Sequence, residues 1–115
     1  LDEISICGPT RVSELRNGMI HTYDIHPEQF FGDPADPGDI KGGDPSENAV
    51  ITDRILDGEK GAPRNVVLIN AAAALVAAGK AEDFKEGVKI AERSIDEGAA
   101  KEKLTSLVKF TQENG

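Results

Sequence analysis

The 115-residue chain has the length of a single domain, and its 21 acidic and 13 basic residues give a formal net charge of −8. This net charge is opposite in sign to that of nucleic-acid-binding proteins and disfavours an anionic membrane, so we expect neither as a partner. A single cysteine, Cys7, rules out an internal disulfide and is typical of a reducing compartment, which predicts a cytoplasmic location.

A β-hairpin is predicted over residues 11–25. Asn17 and Gly18 lie between two strand-like runs, and both residue types accept the positive φ angles of a tight type I′ turn. A two-residue turn fixes the register, which we expect to pair Arg16 with Met19, Leu15 with Ile20, Glu14 with His21, Val12 with Tyr23, and Arg11 with Asp24. On this register Arg11 and Asp24 can form an ion pair across the strands.

Four helices are predicted after a loop over residues 32–45, which holds three prolines and four glycines. The first helix begins at Asp44, whose carboxylate can cap the helix, and ends near Asp57. The other three are predicted over residues 64–78, 82–97 and 101–113. The predicted ends of the first three helices are favoured by the glycines that follow them, Gly58, Gly79 and Gly98.

The helix predicted over 64–78 is apolar on nearly every side, which predicts that it is buried all round. Asn70 is the polar exception, and a buried amide must find a hydrogen-bond partner on a neighbouring element. Gly87, in the next helix, is expected to let a neighbouring helix approach closely.

The acidic residues are concentrated in the first half of the chain, where twelve of them and only four basic residues precede Gly58. Most of the aspartates stand beside glycine or proline, which favours turns, but a cation site is the alternative. Asp2 and Glu3 can share a Mg²⁺ ion only if they lie in a loop, because adjacent side chains of a strand point to opposite faces.

Other candidate residues carry weaker signals. Gly42 and Gly43 precede a helix N-terminus as in a phosphate cradle, but the capping carboxylate of Asp44 would repel an anion. His21, His26 and Cys7 have no partner at catalytic or ligand spacing, and the catalytic residues remain unassigned. The residues alone therefore predict a hairpin-plus-helices unit without naming a reaction.

The order of the segments resembles the anthranilate phosphoribosyltransferase family over essentially all 115 residues. The resemblance rests on the start LDEIS at 1–5, GGDPSENA at 42–49, ILDG at 55–58 and INAAAAL at 69–75. It implies that residues 1–115 are the C-terminal portion of an α/β domain of the nucleoside phosphorylase/phosphoribosyltransferase type. Because the chain starts with leucine rather than methionine, we expect it to be the interior of a longer protein.

The resemblance also implies a reaction, in which a phosphoribosyl group passes from phosphoribosyl pyrophosphate to anthranilate in tryptophan biosynthesis. The implied cofactor is Mg²⁺, held by Asp2 and Glu3, and no protein nucleophile is needed. The family's glycine-rich pyrophosphate loop, anthranilate contacts and homodimer-forming helical domain have no counterpart in these residues. We therefore expect the isolated chain to be inactive and to lack a tight Mg²⁺ site, with disorder or irregular backbone over residues 1–4.

Two alternatives stay open at this point. One is a non-catalytic helical interaction module, and the other is a fragment of a related nucleoside phosphorylase. The GGDPSENA stretch and Asn70 favour the transferase over the phosphorylase.

Overall fold

The computed structural model describes residues 2–115, in which an irregular segment and a hairpin precede four helices. Strands β1 (Thr10–Arg16) and β2 (Met19–Ile25) pair antiparallel in the predicted register. Asn17 and Gly18 have φ angles of 52° and 77°, so the turn prediction is confirmed. The predicted ion pair also forms, with Arg11 Nε 3.0 Å from Asp24 Oδ1.

The helices are α1 (Pro45–Leu56), α2 (Ala62–Ala77), α3 (Phe84–Asp96) and α4 (Ala99–Asn114). Two short 3₁₀ turns, Pro27–Gln29 and Pro37–Ile40, lie between the hairpin and α1, and the second interrupts the predicted loop. α2 and α4 each begin two residues before their predicted starts, and α3 begins two residues after its own. Within residues 2–115, no helix combines the length and the apolar character needed to cross a membrane.

The core forms where α2 packs against α3. Its largest fully buried side chains are Leu68 and Ile69, and Ile6 and Ile25 join it from the N-terminal segment and the hairpin. The two helices approach closely at Gly87, where an added Cβ would lie 2.8 Å from the Cα of Ala72. The expected role of Gly87 is therefore confirmed, because no larger residue fits this crossing without moving a helix.

The prediction that α2 is buried on all sides is wrong. Leu68, Ile69 and Ala72 are buried, but Val67 is 39% exposed and Ala74 is also exposed. α3 covers one side of α2, where Arg64 bonds to Asp96 and Ala72 lies against Gly87. An apolar helix surface is buried only where another element reaches it, and the elements of residues 2–115 reach this helix on part of its circumference.

Candidate functional site

The acidic pair lies on an irregular segment that precedes β1. Asp2 and Glu3 are both exposed, and no strand or helix spans residues 2–9. The backbone condition for two adjacent carboxylates to serve one ion is therefore met, because no strand forces the side chains to opposite faces. The expected irregular backbone is confirmed over residues 2–4, while Leu1 lies outside the described residues.

This segment is tied to α2 directly after the acidic pair. The backbone N–H of Ile4 donates to Oδ1 of Asn70 at 2.9 Å, and Nδ2 of Asn70 donates back to the carbonyl of Ile4 at 3.0 Å. The same Nδ2 also donates to the carbonyl of Val66, one turn earlier in α2, at 2.9 Å. The predicted structural contact of Asn70 is confirmed, and its partner is the backbone beside Glu3.

Three further contacts hold the residues that follow. The N–H of Ser5 donates to Oγ1 of Thr10, and the N–H of Cys7 donates to Oγ of Ser5. The side chain of Ile6 is 3% exposed, and its carbonyl accepts a hydrogen bond from the N–H of Ala35 at 2.9 Å. The segment is irregular, but it is anchored from Ile4 onward.

The donor set of the acidic pair fits Mg²⁺ but cannot enclose it. Within residues 2–115, no group of three or more His, Cys, Asp or Glu side chains is arranged to hold a metal ion. Two carboxylates supply hard oxygen ligands, and Mg²⁺ commonly combines one or two of these with water and substrate phosphate. The pair is therefore suited to an ion whose remaining ligands come from a phosphorylated substrate.

Gly42 and Gly43 do not form a phosphate cradle. The N–H of Gly43 donates to Oδ1 of Asn48 at 2.9 Å, and its carbonyl accepts from Nδ2 of the same residue at 3.1 Å. Asp44 accepts from the N–H of Glu47 at 2.9 Å, as its predicted capping role requires. The N–H groups of Gly43 and Glu47, two donors that an anion at this helix end would need, therefore already bond to side chains of the protein.

A groove between the hairpin and the start of α3 has a volume of about 410 Å³. The register predicts Glu14 opposite His21, but Glu14 accepts its hydrogen bonds from Tyr23 Oη at 2.7 Å and Arg16 Nε at 2.8 Å. Arg16 also donates to the carbonyl of Glu82, which ties β1 to the residues before α3. Sequence reasoning missed this network, although Tyr23 lies diagonal to Glu14 in the predicted register.

The contact between Glu14 and Tyr23 shifts the pKa of both side chains. The hydrogen bond from Tyr23 lowers the pKa of Glu14, because it favours the carboxylate form. Burial, together with the hydrogen bond to Glu14, raises the pKa of Tyr23 to about 12. His21 is exposed and lines this groove opposite Glu14, whereas the exposed His26 and the half-buried Cys7 are not among its lining residues.

The chain is similar to several proteins named anthranilate phosphoribosyltransferase. It is 63% identical to the one from Desulfosudis oleivorans (strain DSM 6200 / JCM 39069 / Hxd3) and 59% identical to the one from Desulfatibacillum aliphaticivorans. Each match covers all of this chain and 34% of the relative. The resemblance inferred from the motifs is thereby confirmed, and the chain spans about a third of the length of the curated relatives it matches.

A solved structure and a family model agree with this match. The crystal structure of anthranilate phosphoribosyltransferase from Thermus thermophilus matches 97% of this chain and 33% of its own, with a TM-score of 0.85 and 36% identity. The family model described as "Glycosyl transferase family, a/b domain" matches residues 1–101. Since this match covers most of the sequence, the chain belongs to this glycosyl transferase family, and its hairpin and helices α1 to α3 lie within the matched α/β domain.

Proposed function

We propose that the whole protein containing this chain is an anthranilate phosphoribosyltransferase of tryptophan biosynthesis. It would be cytoplasmic and would transfer the phosphoribosyl group of phosphoribosyl pyrophosphate to anthranilate. Residues 1–115 are proposed as the C-terminal portion of its α/β domain, with the homodimer contact elsewhere in the protein. The observation that carries this proposal is the 63% identity to a protein of that name along the whole chain.

Asp2 and Glu3 are the proposed Mg²⁺ ligands. Both are exposed, so they can meet an ion that arrives with the phosphate groups of a substrate. When bound, the ion would offset the negative charge on the departing pyrophosphate. The carboxylates bind and orient this metal–substrate complex, which fits a reaction that depends on positioning and charge stabilisation.

Two observations bear on the alternatives. The names of the relatives support a phosphoribosyltransferase over a nucleoside phosphorylase. The reading as a helical interaction module is favoured by the exposed apolar side chains of α4, where Leu107 is 57% and Phe110 is 63% exposed. The same surface is also expected of a chain that spans a third of its relatives, so it does not outweigh the identity along the chain.

The test expresses the complete reading frame that contains this chain and follows the loss of anthranilate in the presence of phosphoribosyl pyrophosphate and Mg²⁺. The Asp2→Asn/Glu3→Gln double variant should depress turnover and raise the Mg²⁺ concentration needed for half-maximal rate, because the amides lack the charge of the carboxylates. The matched control is Glu28→Gln/Asp33→Asn, which neutralises two other exposed carboxylates. Absence of turnover by the unmodified protein would refute the proposed reaction, and equal effects of the two double variants would refute the metal assignment.

A further inference from the structure

We propose that Asn70 is a positioning residue for the Asp2–Glu3 carboxylates. Its amide holds the backbone that follows the acidic pair, and so keeps this backbone in one orientation relative to α2. This inference rests on the proposed function, since it assigns a purpose to Asn70 only if the two carboxylates bind Mg²⁺ with a phosphorylated substrate.

The geometry restrains two successive peptide groups. The N–H of Ile4 belongs to the peptide that joins it to Glu3, and the carbonyl of Ile4 belongs to the peptide that joins it to Ser5. Asn70 bonds to both, at 2.9 and 3.0 Å, across a separation of 66 residues. With both planes fixed, the direction in which the chain departs from Glu3 is set by α2.

The amide of Asn70 is itself held in place. Its second hydrogen bond from Nδ2, to the carbonyl of Val66 at 2.9 Å, anchors the side chain to its own helix and places Nδ2 toward the carbonyl of Ile4 and Oδ1 toward its N–H. The adjacent Ile69 is 2% exposed, and Ala72 is fully buried against α3. The packed core therefore reaches the exposed acidic segment in two ways, through the amide of Asn70 and through the Ile4 side chain that packs against the core.

No other hydrogen bond holds the N–H or the carbonyl of Ile4 within residues 2–115, although the Ile4 side chain packs against the core. The next anchors along the segment, at Ser5 and Ile6, lie beyond the peptide that follows Glu3. Without Asn70, the peptide between Glu3 and Ile4 keeps no hydrogen bond in the described part of the chain, and it can reorient while the Ile4 side chain stays packed against the core. Mg²⁺ would then have to order the two carboxylates as it binds. The conformational entropy lost in this ordering would be subtracted from the binding free energy, so the affinity for Mg²⁺ would fall.

The first measurement is amide hydrogen exchange on this chain. Asn70→Ala should accelerate exchange at the N–H of Ile4 well beyond any change in the core amides of α3. Val88→Ala is the matched control, because it also truncates a side chain of the α2–α3 core but leaves Asn70 and Ile4 intact. Equal acceleration at Ile4 in both variants, or none in Asn70→Ala, would overturn the proposal.

The second measurement uses the complete protein and separates Mg²⁺ dependence from turnover at saturating metal. Asn70→Ala should raise the half-saturating Mg²⁺ concentration by about tenfold or more, as loss of a group that orients metal ligands does, with a smaller effect on the rate at saturation. Val88→Ala should leave the half-saturating concentration unchanged. Asn70→Gln keeps the amide but displaces it by one methylene, so it should also raise the half-saturating Mg²⁺ concentration. This variant replaces Asn70→Ala in the measurement if Asn70→Ala does not fold.

The outcomes separate the two proposals. If Asp2→Asn/Glu3→Gln leaves the Mg²⁺ dependence unchanged, the metal assignment fails, and the positioning role fails with it. If that double variant raises the half-saturating concentration while Asn70→Ala and Asn70→Gln do not, the metal assignment stands and the role of Asn70 is refuted.

Discussion

Arg64 in α2 and Asp96 at the end of α3 form a forked ion pair. Nη1 of Arg64 lies 2.8 Å from Oδ1 of Asp96, and Nη2 lies 3.1 Å from Oδ2. The arginine side chain is 5% exposed, whereas that of Asp96 is 53% exposed. The contact therefore joins a buried guanidinium to a carboxylate at the surface, and the guanidinium depends on this partner because an unpaired charge in the interior is costly.

We expect Asp96→Asn to lower the free energy of unfolding at neutral pH, because it leaves the Arg64 guanidinium without a counter-charge. The hydrogen bonds from Arg64 lower the pKa of Asp96 below its usual value of 3.8. The pair therefore stabilises the native state fully above that pH, and the contribution is lost as the pH falls through the lowered native value. Urea midpoints of the unmodified chain and the variant should consequently differ less in strong acid than at pH about 7.

The matched control for this variant is Asp24→Asn. Asp24 also accepts a hydrogen bond from an arginine, but Arg11 is 74% exposed and keeps its hydration when the partner is lost. The control should therefore cost less stability than Asp96→Asn at neutral pH. Equal losses in the two variants would contradict a special role for the buried guanidinium.

Tyr23 should ionise at a pH of about 12, against an ordinary value of 10.0. The chain has one tyrosine and no tryptophan, so the ultraviolet absorbance of its phenolate reports this residue alone. Because the native pKa is raised, the associated stability is complete below the ordinary value and is lost as the pH rises toward 12.

Glu14→Gln should move the titration of Tyr23 toward its ordinary value, because the hydrogen bond to the carboxylate contributes to the shift. His21→Gln is the control, since His21 faces Glu14 across the strands while the phenol bonds to Glu14 itself. A Tyr23 titration that is unaltered by Glu14→Gln would show that burial alone sets its pKa.

Gly87→Ala should destabilise the chain by about 1–3 kcal/mol, the usual cost of overpacking, reduced by the better helix propensity of alanine. The added Cβ would lie 2.8 Å from both Cα and Cβ of Ala72, so α2 and α3 must move apart. Chemical denaturation measures the loss. Gly38→Ala makes the same change where an added Cβ meets no atom within 4 Å, and its unfolding free energy should change by less than about 0.5 kcal/mol.

Calorimetric titration of this 115-residue chain with Mg²⁺ should show no saturable binding in the micromolar range. Asp2 and Glu3 supply two ligands, and Mg²⁺ is rarely held without phosphate or other oxygen groups to complete its shell. The Asp2→Asn/Glu3→Gln chain provides the baseline heat. Saturable binding by the unmodified chain that disappears in this baseline variant would mean that the site is complete without substrate.

The unmodified 115-residue chain should show no transfer of phosphoribosyl to anthranilate above a protein-free control.

Several features of the fold could be predicted from the sequence because their causes are local. The Asn17–Gly18 turn determines the strand register, since a two-residue loop allows only one pairing of the residues on either side of it. The cap at Asp44 depends on Glu47, which lies three residues away. The family was also predictable, because the order of its motifs along the chain is itself a property of the sequence.

The partners of polar side chains and the covered side of α2 were decided by the tertiary structure. The apolar sequence around Asn70 predicts that its amide needs a partner, but that partner, Ile4, lies 66 residues away. Arg64 and Asp96 are likewise 32 residues apart. Such contacts form only after α2 has packed against α3 and the N-terminal segment, and that packing depends on the shapes of several elements at once. The alanine-rich surface of α2 is compatible with burial on any side, so the side that is buried is determined by the helix that packs against it.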